Sequence, residues 1–250
     1  MKDPSKMTIT EKYSYIFDPD PDRNNEIRFD WISHCLLGDI QTYLDGVENF
    51  IQNKEGFPDG LPRGGGNLSV PILINTALEF VSELYTGQTL YNCTGYNAAE
   101  NVKEFISRFF QDHYKKFPFL LWDGIRNGIV HTFSPKPFEY SQHFIGFQFF
   151  VESRNCPAHV KQLNNGVLIK INIFELYQLL RKAIEDYRAE LEKDEKLQDK
   201  FILAWSSIEE YTRNIDSDTG KASEAKYLLS EIGKSTNYIL LLKSSMLPNG

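Results

Sequence analysis

The chain has few cysteines, no paired histidines and no long apolar runs, and each shortage excludes something. Its 250 residues include three cysteines, Cys35, Cys93 and Cys156, none in a Cys-x-x-Cys pair, so neither a disulfide framework nor a zinc knuckle is expected. Five histidines at positions 34, 113, 131, 143 and 159 show no His-x-x-x-His spacing, and no metal site or cofactor is expected. No stretch approaches the ~18 apolar residues of a membrane span. The opening MKDPSKMTITEKYSY lacks an apolar run, so no signal peptide is expected and the location is read as cytoplasmic. Positive charge is also short. Lys plus Arg number 27 against 34 Asp plus Glu, a formal net charge of −7. That argues against a constitutive nucleic-acid coat, whose affinity comes mainly from neutralising phosphates. It leaves room for an enzyme that touches nucleic acid briefly. The Gly64-Gly65-Gly66 run lacks the Lys-Ser/Thr of a phosphate loop, and no Gly-x-Ser-x-Gly elbow anchors a hydrolase triad.

What is present is mainly helical periodicity. Residues 1–28 are polar and turn-rich around Asp18-Pro19-Asp20-Pro21-Asp22, and read as an irregular N-terminal arm. Residues 29–250 read as a single helical-bundle domain. Ile32, Leu36, Ile40, Tyr43, Leu44, Val47 and Ile51 recur at a 3.6-residue period and predict a helix over 31–51. The Gly/Pro-rich stretch 53–69 reads as a loop. Further helices are predicted from near Pro71 to Gly87, over 98–110, over 119–131 and over 173–191. Residues 201–211 continue the last of these or start another, and a final helix covers 223–243. The helix after Pro71 is apolar except for a narrow stripe of Asn75, Glu79 and Ser82. Between these helices the period changes to two at Ile145, Phe147, Phe149 and Val151, and again at Val167, Ile169 and Ile171. With a hairpin signal at Asn165-Gly166, residues 143–172 read as a two- or three-stranded antiparallel β-ribbon inserted in a mostly α fold.

One segment carries chemistry: Leu121-Trp-Asp-Gly-Ile-Arg126-Asn127-Gly128-Ile-Val-His131. Arg126, Asn127 and His131 fall in or beside an apolar helix, and burying an arginine is costly unless it is paired or serves a site. In an α-helix, five residues turn ~500°, so Arg126 and His131 would point ~140° apart. They converge only if the helix loosens, and Gly124 and Gly128 permit that. The bland alternative is structural. Asn127 and His131, at i and i+4, would make a buried polar contact, with Arg126 at the rim or paired with Glu79 or Glu83.

The Arg-Asn-x-x-x-His segment resembles the signature of the HEPN superfamily, helical-bundle proteins with an Arg-x(4–6)-His motif that often has Asn, Asp or His after the arginine. The apolar helix ending in Tyr85-Thr-Gly87, followed by Trp122-Asp-Gly-Ile-Arg-Asn-Gly-Ile-Val-His131, is similar to a stand-alone branch of that group over roughly residues 29–211. The β-ribbon and extra C-terminal helices depart from a minimal HEPN domain. The resemblance implies a HEPN-like antiparallel bundle, and metal-independent endoribonuclease or RNA-binding activity in stress or defence. It also implies a homodimer in which two Arg126/His131 motifs face one phosphate. His131 would move protons, Arg126 would hold phosphate oxygens, and Asn127 would orient the phosphate or the imidazole. Glu79 and Glu83 are candidate supporting residues. Arg108, Lys115, Lys116 and Lys136 are candidate RNA contacts. The competing readings are a non-catalytic interaction module that binds an unidentified protein partner or a nucleotide, and a small-molecule-binding regulatory bundle.

Overall fold

A computed structural model of the chain describes residues 2–23, 25–53, 68–110, 114–129, 134–150, 159–211 and 219–231. The described residues are mostly helical. The first helix, α1 (Ile9–Phe17), corrects the expectation of an irregular arm. Its start is a capping box. The Thr8 side chain accepts from the Glu11 amide at 3.2 Å, and Glu11 returns the favour to the Thr8 amide at 2.7 Å. The apolar signal is brief (Tyr15, Ile16 and Phe17), but those side chains are buried. Lys12, only 4% exposed, docks this helix by reaching Glu195 at 2.7 Å and Asp199 at 2.6 Å. A short two-stranded pairing follows, β1 (Pro19–Asp20) with β2 (Glu26–Ile27). Here Arg28 pairs with buried Asp20 and lies 3.9 Å from the Tyr15 ring centre.

The helix predicted over 31–51 is one long rod with a defect. It runs as α2 (Arg28–Trp31), a π turn (Ile32–Leu37) and α3 (Gly38–Asn53). The loop expected over 53–69 falls mostly outside the described residues. The central apolar helix, α4 (Ser69–Thr86), stops where Gly87 adopts φ 78, the left-handed cap that glycine takes most easily. After α5 (Ala98–Phe109), the helix entered at Pro118 divides into α6 (Pro118–Asp123) and a second π turn (Gly124–Ile129). The chain ends its described course in α7 (Ile173–Leu191), α8 (Glu195–Glu209) and α9 (Thr219–Glu231). Asp194 caps α8 through the amides of Lys196 and Leu197, so α8 is a separate helix.

The β-region is larger than predicted and is not wholly antiparallel. Strands β3 (Phe138–Tyr140), β4 (His143–Phe150), β5 (His159–Leu163) and β6 (Gly166–Asn172) form one sheet in the order β3-β4-β6-β5. Strands β4 and β6 run parallel, in register from Phe144 opposite Gly166 to Phe150 opposite Asn172. The period of two that identifies both strands carries no direction, and the β5–β6 hairpin places β6, not β5, against β4. The β3–β4 turn uses Ser141 and Gln142 at φ 48 and 65, the double positive φ of a tight hairpin, without the Asn-Gly signal that usually reveals one. In the other hairpin Asn164 and Asn165 form the turn, and Gly166 is already in the strand at φ 137.

Ile145, Phe147 and Phe149 pair across with Val167, Ile169 and Ile171, which gives the sheet an apolar face that joins the helical core. At the centre of that core, Tyr187 of α7 contacts the rings of Phe29, Tyr85, Phe105 and Phe109. Phe201 stacks on Trp205 with ring centres 5.5 Å apart. Aromatic pairs of this kind contribute about 0.5–1.5 kcal/mol each beyond their buried area. They connect α2, α4, α5, α7 and α8.

Candidate functional site

The loosening that the motif needs is present. Gly124–Ile129 is a π turn, with hydrogen bonds from residue i to i+5 in place of i+4. Two glycines permit it by accepting close neighbours. A Cβ on Gly124 would lie 2.9 Å from the Phe147 ring of β4. A Cβ on Gly128 would sit on the Lys136 amide nitrogen, 2.7 Å from the Ser134 carbonyl oxygen and 2.8 Å from the Pro135 carbonyl carbon. The Lys136 amide also donates to the Gly124 carbonyl at 3.0 Å. Gly124 and Gly128, one helical step apart, thus form the face that meets the sheet and the returning chain.

Arg126 lies between them and is half-buried. Its guanidinium stands 5.9 Å from the ring centre of Trp122, four residues back and 5% exposed. An aromatic face at this distance attracts the cation and limits where the head group goes. The spacing of four places Trp122 beside Arg126 on a helix, but a tryptophan in an apolar run carries no local sign that it meets a cation. Asn127 belongs to the same turn, with its side chain outside the described residues, as is His131. Lys136 is brought to the motif by its backbone. Its ammonium lies 3.4 Å from Asp123 and 5.8 Å from the Phe138 ring centre.

The other candidates are placed elsewhere. Glu79 and Glu83 lie one turn apart on α4, and their carboxylates lie 3.3 and 2.5 Å from the Tyr96 hydroxyl, which donates to them. Burial raises the Glu83 carboxyl above its usual range. The Tyr96 bond opposes that shift, and the Glu79 charge adds to it. Burial, Glu83 and Glu79 together raise the Tyr96 phenol in turn. Tyr96 comes from the loop before α5, and no local pattern announces it. Arg108, at the end of α5, is tied to Glu190 by two bonds of 2.6 and 3.2 Å. Arg108 and Lys115 share an open groove with Lys193 and with four acids, Asp186, Glu190, Asp194 and Glu195. Lys116 is exposed on the 3-10 turn Tyr114–Lys116. Among the described residues, no group of His, Cys, Asp and Glu has the arrangement of a metal site, and no helix is long and apolar enough to cross a membrane.

Comparison with protein-family models finds no match. Neither a curated protein nor a solved structure matches the chain.

Proposed function

We propose that the protein is a HEPN-like, RNA-directed homodimer of the cytoplasm, a metal-independent endoribonuclease or RNA-binding protein built on Arg126, Asn127 and His131. The observation that carries this reading is the π turn at Gly124–Ile129. It is a turn in which residues five apart approach one face, and it holds Arg126, where the five-residue spacing to His131 begins. Glycines hold it against the sheet and the returning chain, and it presents a half-buried arginine beside Trp122. A preorganised guanidinium is the group suited to charge growing on phosphorus.

In the proposed reaction the RNA 2′-oxygen attacks the adjacent phosphorus and loses its proton to a base. The bond from phosphorus to the 5′-oxygen breaks, and an acid protonates the leaving oxygen. Products carry 2′,3′-cyclic phosphate and 5′-hydroxyl ends. His131 supplies one proton transfer and the partner's copy of the same histidine the other, which is why two motifs face one phosphate. The second reading, a non-catalytic interaction module, draws on one observation. Arg108 and Lys115 face carboxylates, so that groove is mixed in charge and not a basic track.

The test is RNA cleavage by purified dimer in EDTA, with His131→Ala and Arg126→Ala variants whose folding is checked by circular dichroism. The expected result is cyclic-phosphate products and a loss of about 10²-fold or more in each variant. Cleavage that survives both substitutions, or a folded wild-type protein that neither cleaves nor binds RNA, overturns the reading and favours the interaction module.

A further inference from the structure

The first π turn, Ile32–Leu37, lies outside the motif and lines a groove of about 350 Å³ against α7. We propose that this groove binds a small organic oxyanion, a phosphate or carboxylate head on a compact apolar body, with Arg181 receiving the head. The site is separate from the proposed RNA site and does not depend on it.

Three features build the groove. Tyr177, Arg181, Ile184 and Arg188 form a stripe on α7, at steps of four, three and four, that faces the rod. The Tyr177 hydroxyl donates to the Leu37 carbonyl at 3.1 Å, a buried bond that fixes α7 to the end of the π turn. Gly38 then leaves space, because the nearest heavy atom to a Cβ there would be the Ser33 carbonyl oxygen at 3.8 Å. The resulting volume is at the small end of the range for ligand sites, and Leu37 and Ile184 provide an apolar floor.

Charge decides the ligand class. Arg188 is committed. It bonds Asp30 at 2.8 Å and Glu192 at 3.3 Å, and its guanidinium lies 5.3 Å from the Phe29 ring centre. Arg181 is held more loosely, with Glu185 at 3.7 Å and the two side chains 50% and 58% exposed. An exposed pair at that distance contributes little, and an oxyanion that meets the guanidinium fork with two oxygens displaces it. Arg188 is balanced by Asp30 and Glu192, so Arg181, opposed only loosely by Glu185, is the lining cation whose partner an oxyanion can replace.

The experiment is calorimetric titration of the full chain with 5′-AMP as the phosphate-headed probe and hexanoate as the carboxylate-headed one, repeated on three variants. Saturable binding of at least one probe with Kd below about 1 mM is expected. Arg181→Gln should weaken it at least tenfold. Gly38→Met, which fills the groove and replaces a helical glycine, should abolish it without lowering the thermal midpoint. Arg126→Gln should leave it unchanged, which separates this site from the RNA site. The proposal is overturned if neither probe binds, if either groove variant keeps full affinity, or if affinity is lost on changing Arg126.

Discussion

The two π turns are built by opposite means. The second has a glycine at its start and another near its end, and those glycines are occupied: the Phe147 ring lies against one and the chain at Ser134–Lys136 against the other. The first contains Ile, Ser, His, Cys and Leu and no glycine. It is tied to α7 by the Tyr177 hydroxyl on Leu37, and the glycine that follows it, Gly38, would accept a Cβ at ordinary contact distance, 3.8 Å from the Ser33 carbonyl oxygen. Both lean on α4. One turn is therefore permitted by missing side chains that let backbone come close. The other is imposed on side chains of ordinary helical propensity by a neighbouring helix. The same local geometry has two causes, and substitutions should separate them.

Gly128→Ala should have the largest effect. Its Cβ meets backbone atoms that have no rotamer to escape into, so a loss of about 3 kcal/mol is expected in urea unfolding. The Lys136 amide should lose protection in hydrogen exchange, because its bond to the Gly124 carbonyl depends on that seat. A loss near zero would mean that glycine is not what permits the second turn. Next comes Tyr177→Phe, which removes the buried bond to Leu37 and should cost about 1 kcal/mol. If stability is unchanged, packing alone imposes the first turn. Gly38→Ala should act in the reverse direction to Gly128→Ala. With its Cβ at ordinary contact distance and a helical position, it should stabilise by about 0.5–1 kcal/mol. A destabilising result there would erase the distinction between the two glycines.

The smallest effect concerns α4, the helix both turns share, and it depends on pH. The folded-state pKa of Glu83 is raised, chiefly by burial. Its contribution to stability is therefore full below the unfolded carboxylate range, near pH ~4.3, and is lost as pH rises through the folded value. Glu83→Gln keeps an acceptor for Tyr96 and removes the charge. It should exceed the wild type in stability at pH 7, and the two should converge as the pH falls toward 4. Parallel stability curves across that range would count against a buried, proton-retaining Glu83.

Much of the helical layout was legible in advance. The Pro71 entry and Gly87 stop bracket α4 to within two residues, and 98–110 and 173–191 match α5 and α7 closely. These are long amphipathic or apolar segments with punctuation, where local signals agree with packing. Local signals mislead where stability comes from distant partners. The turn-rich composition of residues 1–28 predicts an irregular arm, yet Ile9–Phe17 is a helix, because Lys12 finds Glu195 and Asp199 more than 180 positions away. The strand Phe138–Tyr140 has no local signal, because the Ser141-Gln142 turn adopts positive φ without glycine. In the candidate site, Arg126 and the loosening glycines were legible from residue type and spacing. Tyr96 was not, since a loop residue that meets two carboxylates leaves no periodic trace.

The sequence by itself determined where helical and strand periods begin and end, and which segment places an arginine, an asparagine and two glycines in one apolar run. Those are properties of neighbours a few residues apart, governed by backbone conformation and by the alternation of apolar and polar side chains. Only the tertiary structure decided that β4 and β6 run parallel, that α1 packs on α8, and that each helical rod takes a π turn where it does. Those choices depend on contacts between residues distant in the chain, where the Phe147 ring, the Tyr177 hydroxyl and the Lys136 amide each supply an interaction that no local window contains.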